Sequence, residues 1–131
     1  MSTGTPAKIH RILGFSALGV GILQFFLAGL GVFGESYDPH RIGGNVVLLL
    51  ALLMVVFAAI GRRETLKTSA VLVGLMILQA VLAILGSEDV AVLGALHPVN
   101  GLLILFVAHQ AARGLPLPIG GNRGGDRSVA V

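Results

Sequence analysis

Ile22-Leu23-Gln24-Phe25-Phe26-Leu27-Ala28-Gly29-Leu30-Gly31 returns as Ile77-Leu78-Gln79-Ala80-Val81-Leu82-Ala83-Ile84-Leu85-Gly86, 55 residues further along. Seven positions of the ten are identical, and each copy is followed by a histidine with glycine four residues on. These are His40-x-x-x-Gly44 and His97-x-x-x-Gly101, 57 residues apart. The repeat decides the fold because both copies lie in sequence apolar enough to cross a membrane.

Working outward, the chain carries four apolar stretches, at about 12–33, 42–60, 66–85 and 91–112. Each approaches the roughly 20 residues that a helix needs to span a bilayer. Within lipid every backbone group must be paired inside the segment, so such stretches form helices. Apolar residues make up 55% of the 131 residues and charged ones 11%, which excludes a soluble globular composition. The expected fold is all-α, with four transmembrane helices in one domain, residues 1–113. Residues 114–131, rich in glycine, proline and arginine, have the composition of a disordered cytoplasmic tail. The short connections make successive helices antiparallel neighbours, an up-down-up-down bundle built from two helical-hairpin repeats.

The net charge of +3 does not indicate nucleic-acid binding, because it is sorted by side. Lys8, Arg11, Arg62, Arg63, Lys67, Arg113, Arg123 and Arg127 flank one side of the spans; Arg41 falls on the other, with Glu35, Asp38, Glu88 and Asp89. The positive-inside rule then predicts a bacterial inner-membrane protein with both termini cytoplasmic. The first stretch follows Lys8 and Arg11 as a signal peptide would. Its apolar run is too long for one, and its repeat partner is an internal helix, so it is expected to be retained.

The absence of cysteine excludes disulfides, thiolate-bound iron–sulfur clusters and covalent c-type haem. The histidines are what remain. His40 opens the second helix and His97 lies near the start of the fourth, and in an up-down bundle these two helices form a diagonal. A pseudo-two-fold along the membrane normal sets the two rings opposite each other at similar depth. The faces they head are small or apolar: Gly44, Val47, Ala51, Met54 and Ala58, then Gly101, Ile104, Ala108 and Ala111. Glycine one turn below each ring leaves space for a flat ligand, although small residues at this spacing also serve helix packing. Gln24 and Gln79 form a second inward-facing pair on the other diagonal, suited to an interhelical hydrogen bond.

Two opposed imidazoles in an apolar bundle suit b-type haem, with Arg41 placed to meet its propionates. Zinc or copper would want three or four ligands, with Asp38 as the nearest third. Proton relay is the remaining chemistry, though no acid lies within a span. His10 and His109 lie at the cytoplasmic ends of their helices and are candidates for a second haem. They do not obey the repeat, and the 12 residues between His97 and His109 turn a helix by about 120°.

The His40-Arg41 motif opening a helix after an acidic outer loop, with a further histidine opening the fourth helix, resembles haem A synthase. That family looks like two fused four-helix halves, and this chain resembles one half over most of residues 12–112. The position three before the histidine, acidic in that family, is Tyr37 here. The resemblance implies that His40 and His97 are haem ligands; small bacterial membrane cytochromes b are a looser likeness of architecture.

The expected function is therefore a membrane haem b protein engaged in electron transfer or haem handling, a carrier rather than an enzyme, in contact with lipid and a redox partner. The alternatives are a non-catalytic assembly subunit of a membrane complex and a small transporter. Ala17-x-x-x-Gly21 offers a face for a homodimer.

Overall fold

The computed structural model describes residues 4–86, 90–115 and 117–118. Four helices follow one another: α1 (Thr5–Val32), α2 (Asp38–Gly61), α3 (Leu66–Gly86) and α4 (Ala91–Arg113), with a 3-10 turn at Arg63–Thr65 leading into α3. No strand occurs among the described residues. All four helices are long and apolar enough to cross a membrane, so the chain is a multi-pass membrane protein. Glu88, Asp89, Arg123, Arg127 and nearly all of the expected tail lie outside the described residues.

Two helices begin earlier than the apolar stretches suggest. α1 starts at Thr5 rather than at residue 12, and α2 at Asp38 rather than at 42. Hydropathy marks what lipid accepts, whereas a helix needs only compatible backbone. Pro6 and Pro39 each sit in a first turn, where a missing N–H costs nothing. At 28 residues α1 is about 42 Å long, well beyond the ~30 Å of hydrocarbon, so its Lys8 end reaches past the apolar layer. The link between α1 and α2 shortens to five residues, 33–37, turned at Gly34 with φ 101°.

The helices form a ring in chain order. Packing is most extensive within each hairpin, α1 on α2 and α3 on α4. The contact of α1 with α4 closes the ring, and α2 meets α3 most sparsely. The core faces are those that start from the two histidines. Val47, Ala51, Met54 and Ala58 are buried on α2, and Ile104, Ala108 and Ala111 on α4, joined by Leu72 and Met76 of α3. Large apolar side chains such as Phe26, 62% exposed, point outward, as helices solvated by lipid require.

Ala17 is 1% exposed and Gly21 is buried. A Cβ on Gly21 would stand 2.7 Å from Leu105 Cδ2, so the Ala17-x-x-x-Gly21 stripe is used to seat α1 on α4. The stripe is therefore not available to a second copy, which corrects the expectation of a dimer face there.

His10 heads this stripe and is 0% exposed. Its ring crosses the interior to α3, with Nε2 3.0 Å from Ser69 Oγ and 3.3 Å from Thr65 Oγ1. The Thr65 hydroxyl donates its proton to the Arg62 carbonyl at 2.8 Å, so Nε2–H is the donor toward Thr65. His10 thus ties the first hairpin to the second. Replacing it with alanine removes one N–H shared between the Ser69 and Thr65 oxygens, worth about 0.6–1.7 kcal/mol, and leaves a hole. His10→Ala should cost about 2–3 kcal/mol, read as a lower midpoint in detergent unfolding; an unchanged midpoint would show the tie to be idle.

Candidate functional site

His40 is the third residue of α2, and His97 lies two turns inside α4. Their positions along their own helices differ, yet their surroundings match. His40 Nδ1 is 3.0 Å from the carbonyl oxygen of Gln24, and His97 Nδ1 is 3.2 Å from that of Gln79. The sequence repeat reappears as two equivalent hydrogen bonds, each from a histidine to the preceding helix of its own hairpin. A carbonyl only accepts, so each Nδ1 carries a proton, which in the neutral tautomer leaves the lone pair on Nε2. A main-chain carbonyl on the far nitrogen is the usual way a metal-binding histidine is held in one tautomer and orientation.

The two rings face each other with centroids 6.0 Å apart and planes inclined at 57°. An ion held at about 2.0–2.1 Å from each of two imidazole nitrogens sets those nitrogens about 4 Å apart, and the two half-rings bring the centroids to about 6 Å. Around the pair lies a cavity of about 430 Å³ lined from all four helices. That is within the usual range for small-molecule sites. Its walls are mostly apolar or small, among them Ala28, Val47, Met76, Ala83, Ile104 and Leu105.

The donor set distinguishes between metal chemistries. No cluster of three or more His, Asp or Glu able to hold an ion occurs among the described residues. Asp38 turns to solvent, 74% exposed and 3.9 Å from Arg41 Nη1, so it does not join His40 as a third ligand. Two imidazoles alone are too few for a bare zinc or copper ion. They are sufficient for a macrocycle that brings its own equatorial nitrogens. Arg41 lines the cavity with an exposed side chain, a guanidinium at its rim.

The two glycines below the rings differ. A Cβ on Gly44 would meet nothing within 4 Å, so this space belongs to the cavity. A Cβ on Gly101 would stand 3.1 Å from Phe25 Cζ, so there the room is already filled by an aromatic edge. Phe25 corresponds in the repeat to Ala80, so the two copies line the cavity with side chains of very different size. Asn45 of α2 and Ile84 of α3 also line the cavity.

Gln24 and Gln79 both line the cavity, and it is their backbone carbonyls that hold the histidines. The expected side-chain bond between helices forms only at Gln79, whose Oε1 accepts from Asn100 Nδ2 at 2.7 Å. Asn100, 4% exposed, also donates to the Leu75 carbonyl at 2.9 Å. The repeat marks neither Asn100 nor Phe25 as a site residue; an asparagine inside a span is the available signal for the first.

His10 and His109 are not brought together. His10 is committed to Ser69 and Thr65, while the half-buried His109 shares neither hydrogen bond nor ring contact with it. α4 stays helical through Pro98, so the turn of about 120° between His97 and His109 stands.

No curated protein and no solved structure matches the chain. Residues 24–87, just under half of it, are similar to a family model described as a family of unknown function (DUF6220). That stretch runs through Gln24, His40, Gly43 and Gln79 and stops short of His97.

Proposed function

We propose that this chain is an integral membrane b-type haem protein, with His40 and His97 as the two axial ligands. The observation that carries the reading is the matched seating of the rings: both Nδ1 atoms are spent on carbonyls, and both rings face one cavity at 6.0 Å. A bound haem would supply one-electron chemistry at its iron. The protein's part is to hold two neutral imidazoles in register, to exclude water with apolar walls, and to offer the Arg41 guanidinium to a carboxylate at the rim. An electron carrier, or a protein that takes up and passes on haem, follows more readily from these residues than a catalyst. With both Nε2 lone pairs given to an iron, neither histidine would be left to act as a general acid or base. With the basic ends of the helices in the cytoplasm of a bacterial inner membrane, the histidine pair lies toward the outer face.

The test is a haemin titration of the detergent-purified protein, followed by a pyridine-haemochrome assay. One haem per chain with a low-spin spectrum is expected, because His10 Nε2 is already taken. The absence of a low-spin species at saturating haemin would refute the reading.

A further inference from the structure

Gln24 and Gln79 occupy equivalent places in the two hairpins, yet their side-chain amides meet different neighbours. The α4 residue facing Gln79 is Asn100, and the α2 position that corresponds to it in the repeat is Gly43. Gly43 has no side chain to offer. The Gln24 amide lies against it, in the space that a Cβ there would need. Both polar atoms of this amide, Nε2 and Oε1, are buried and make no hydrogen bond to protein. A buried amide with neither donor nor acceptor satisfied is a costly arrangement. This one lines the cavity that holds the two histidines.

We infer that Gln24 is a recognition residue, whose amide N–H donates to an oxygen borne on the rim of the flat, apolar ligand held between His40 and His97. The inference rests on the cavity being a ligand site, as proposed above, but not on the ligand being haem. A haem carboxylate and a quinone carbonyl present the same acceptor on the edge of a flat ring. Gln79 differs, since its amide is anchored to protein through its oxygen, which accepts from Asn100. The asymmetry between Gly43 and Asn100 therefore leaves Gln24 with neither polar atom of its amide bound to protein, unlike Gln79.

Gln24→Leu tests this without disturbing His40, whose acceptor is the main-chain carbonyl of residue 24. Gly43→Asn is the second variant; its Cβ claims the space that the Gln24 amide occupies and so displaces that amide from the cavity wall. The probes are haemin, iron etioporphyrin, which has the same ring and metal but only alkyl groups on its rim, and a short-chain ubiquinone. The porphyrins are followed by absorbance titration and the quinone by equilibrium dialysis. Gln24→Leu should weaken haemin binding about tenfold, as loss of one hydrogen bond to a charged acceptor does, and leave iron etioporphyrin within about twofold. Gly43→Asn should act in the same direction. Equal effects on both porphyrins, or none on either, would overturn the inference and leave Gln24 a packing residue or a seat for water. If neither porphyrin binds the wild type, the haem reading fails and the quinone decides. Quinone binding that weakens in Gln24→Leu supports the recognition role; binding indifferent to Gln24, or no binding of any probe, overturns it.

Discussion

Haem-loaded protein carrying His97→Ala is expected to lose its low-spin spectrum and to regain it when imidazole is added. The ring of His97 is the counterpart of His40 across 6.0 Å, and no other histidine, acid or thiol lines the cavity among the described residues. The methyl group of alanine leaves His40 as the one imidazole, so the iron becomes high-spin. Removing an outer-shell partner of a metal ligand costs about 10–100-fold in affinity, and removing the ligand itself should cost no less. Free imidazole at millimolar concentration fits the hole that the side chain leaves and should restore the wild-type bands. His40→Ala should behave alike, because the two seats are equivalent. A low-spin spectrum that survives either substitution without imidazole would mean that the axial assignment is wrong.

The second large effect is on folding. Gly14→Leu should separate α1 from α4. A Cβ at residue 14 would stand 2.7 Å from both Cα and Cβ of Ala112, and a neighbour made of backbone cannot turn aside as a flexible side chain would. The seam it enters is tightly closed, with Ala17, Ala108, Ala111 and Ala112 all nearly or wholly buried. Overpacking a well-packed interior costs about 1–3 kcal/mol, and a clash with main chain belongs at the upper end, about 3 kcal/mol. Gly19→Leu is the control on the same helix, since a Cβ there meets nothing within 4 Å. In a thermal unfolding series in one detergent, Gly14→Leu should melt well below wild type and Gly19→Leu beside it. Coincident melting of both variants with wild type would show that α1 and α4 do not pack as described.

Much of this was legible in the residues. Four apolar runs with short polar links define the bundle, and the three-and-four spacing from His40 and His97 picks out the faces that are buried. The diagonal pairing of those histidines follows from the repeat and the ring of antiparallel helices. What was hidden lies in the side-chain detail that periodicity does not carry. The acceptors for both rings are main-chain carbonyls, which no residue type advertises. Phe25 fills the space beside Gly101 while Ala80 leaves its counterpart open, so two identical His-x-x-x-Gly motifs have unlike surroundings. His10 looks like a ligand because it heads a stripe of small residues. Its partners, Ser69 on α3 and Thr65 on the 3-10 turn before it, come near His10 only in the assembled bundle.

Each histidine is anchored within its own hairpin, His40 on α1 and His97 on α3. Each hairpin is accordingly a self-contained module that presents one pre-aimed imidazole, and the pair exists only where two modules dock. The bond that joins the modules, from His10 to Ser69 and Thr65, is at the opposite end of the bundle from the rings. The hydrogen bonds that tie the modules and those that aim the rings are thus made by different residues. A chain divided in the link between α2 and α3 keeps both imidazoles correctly aimed, and the site becomes a measure of whether the two halves have found each other.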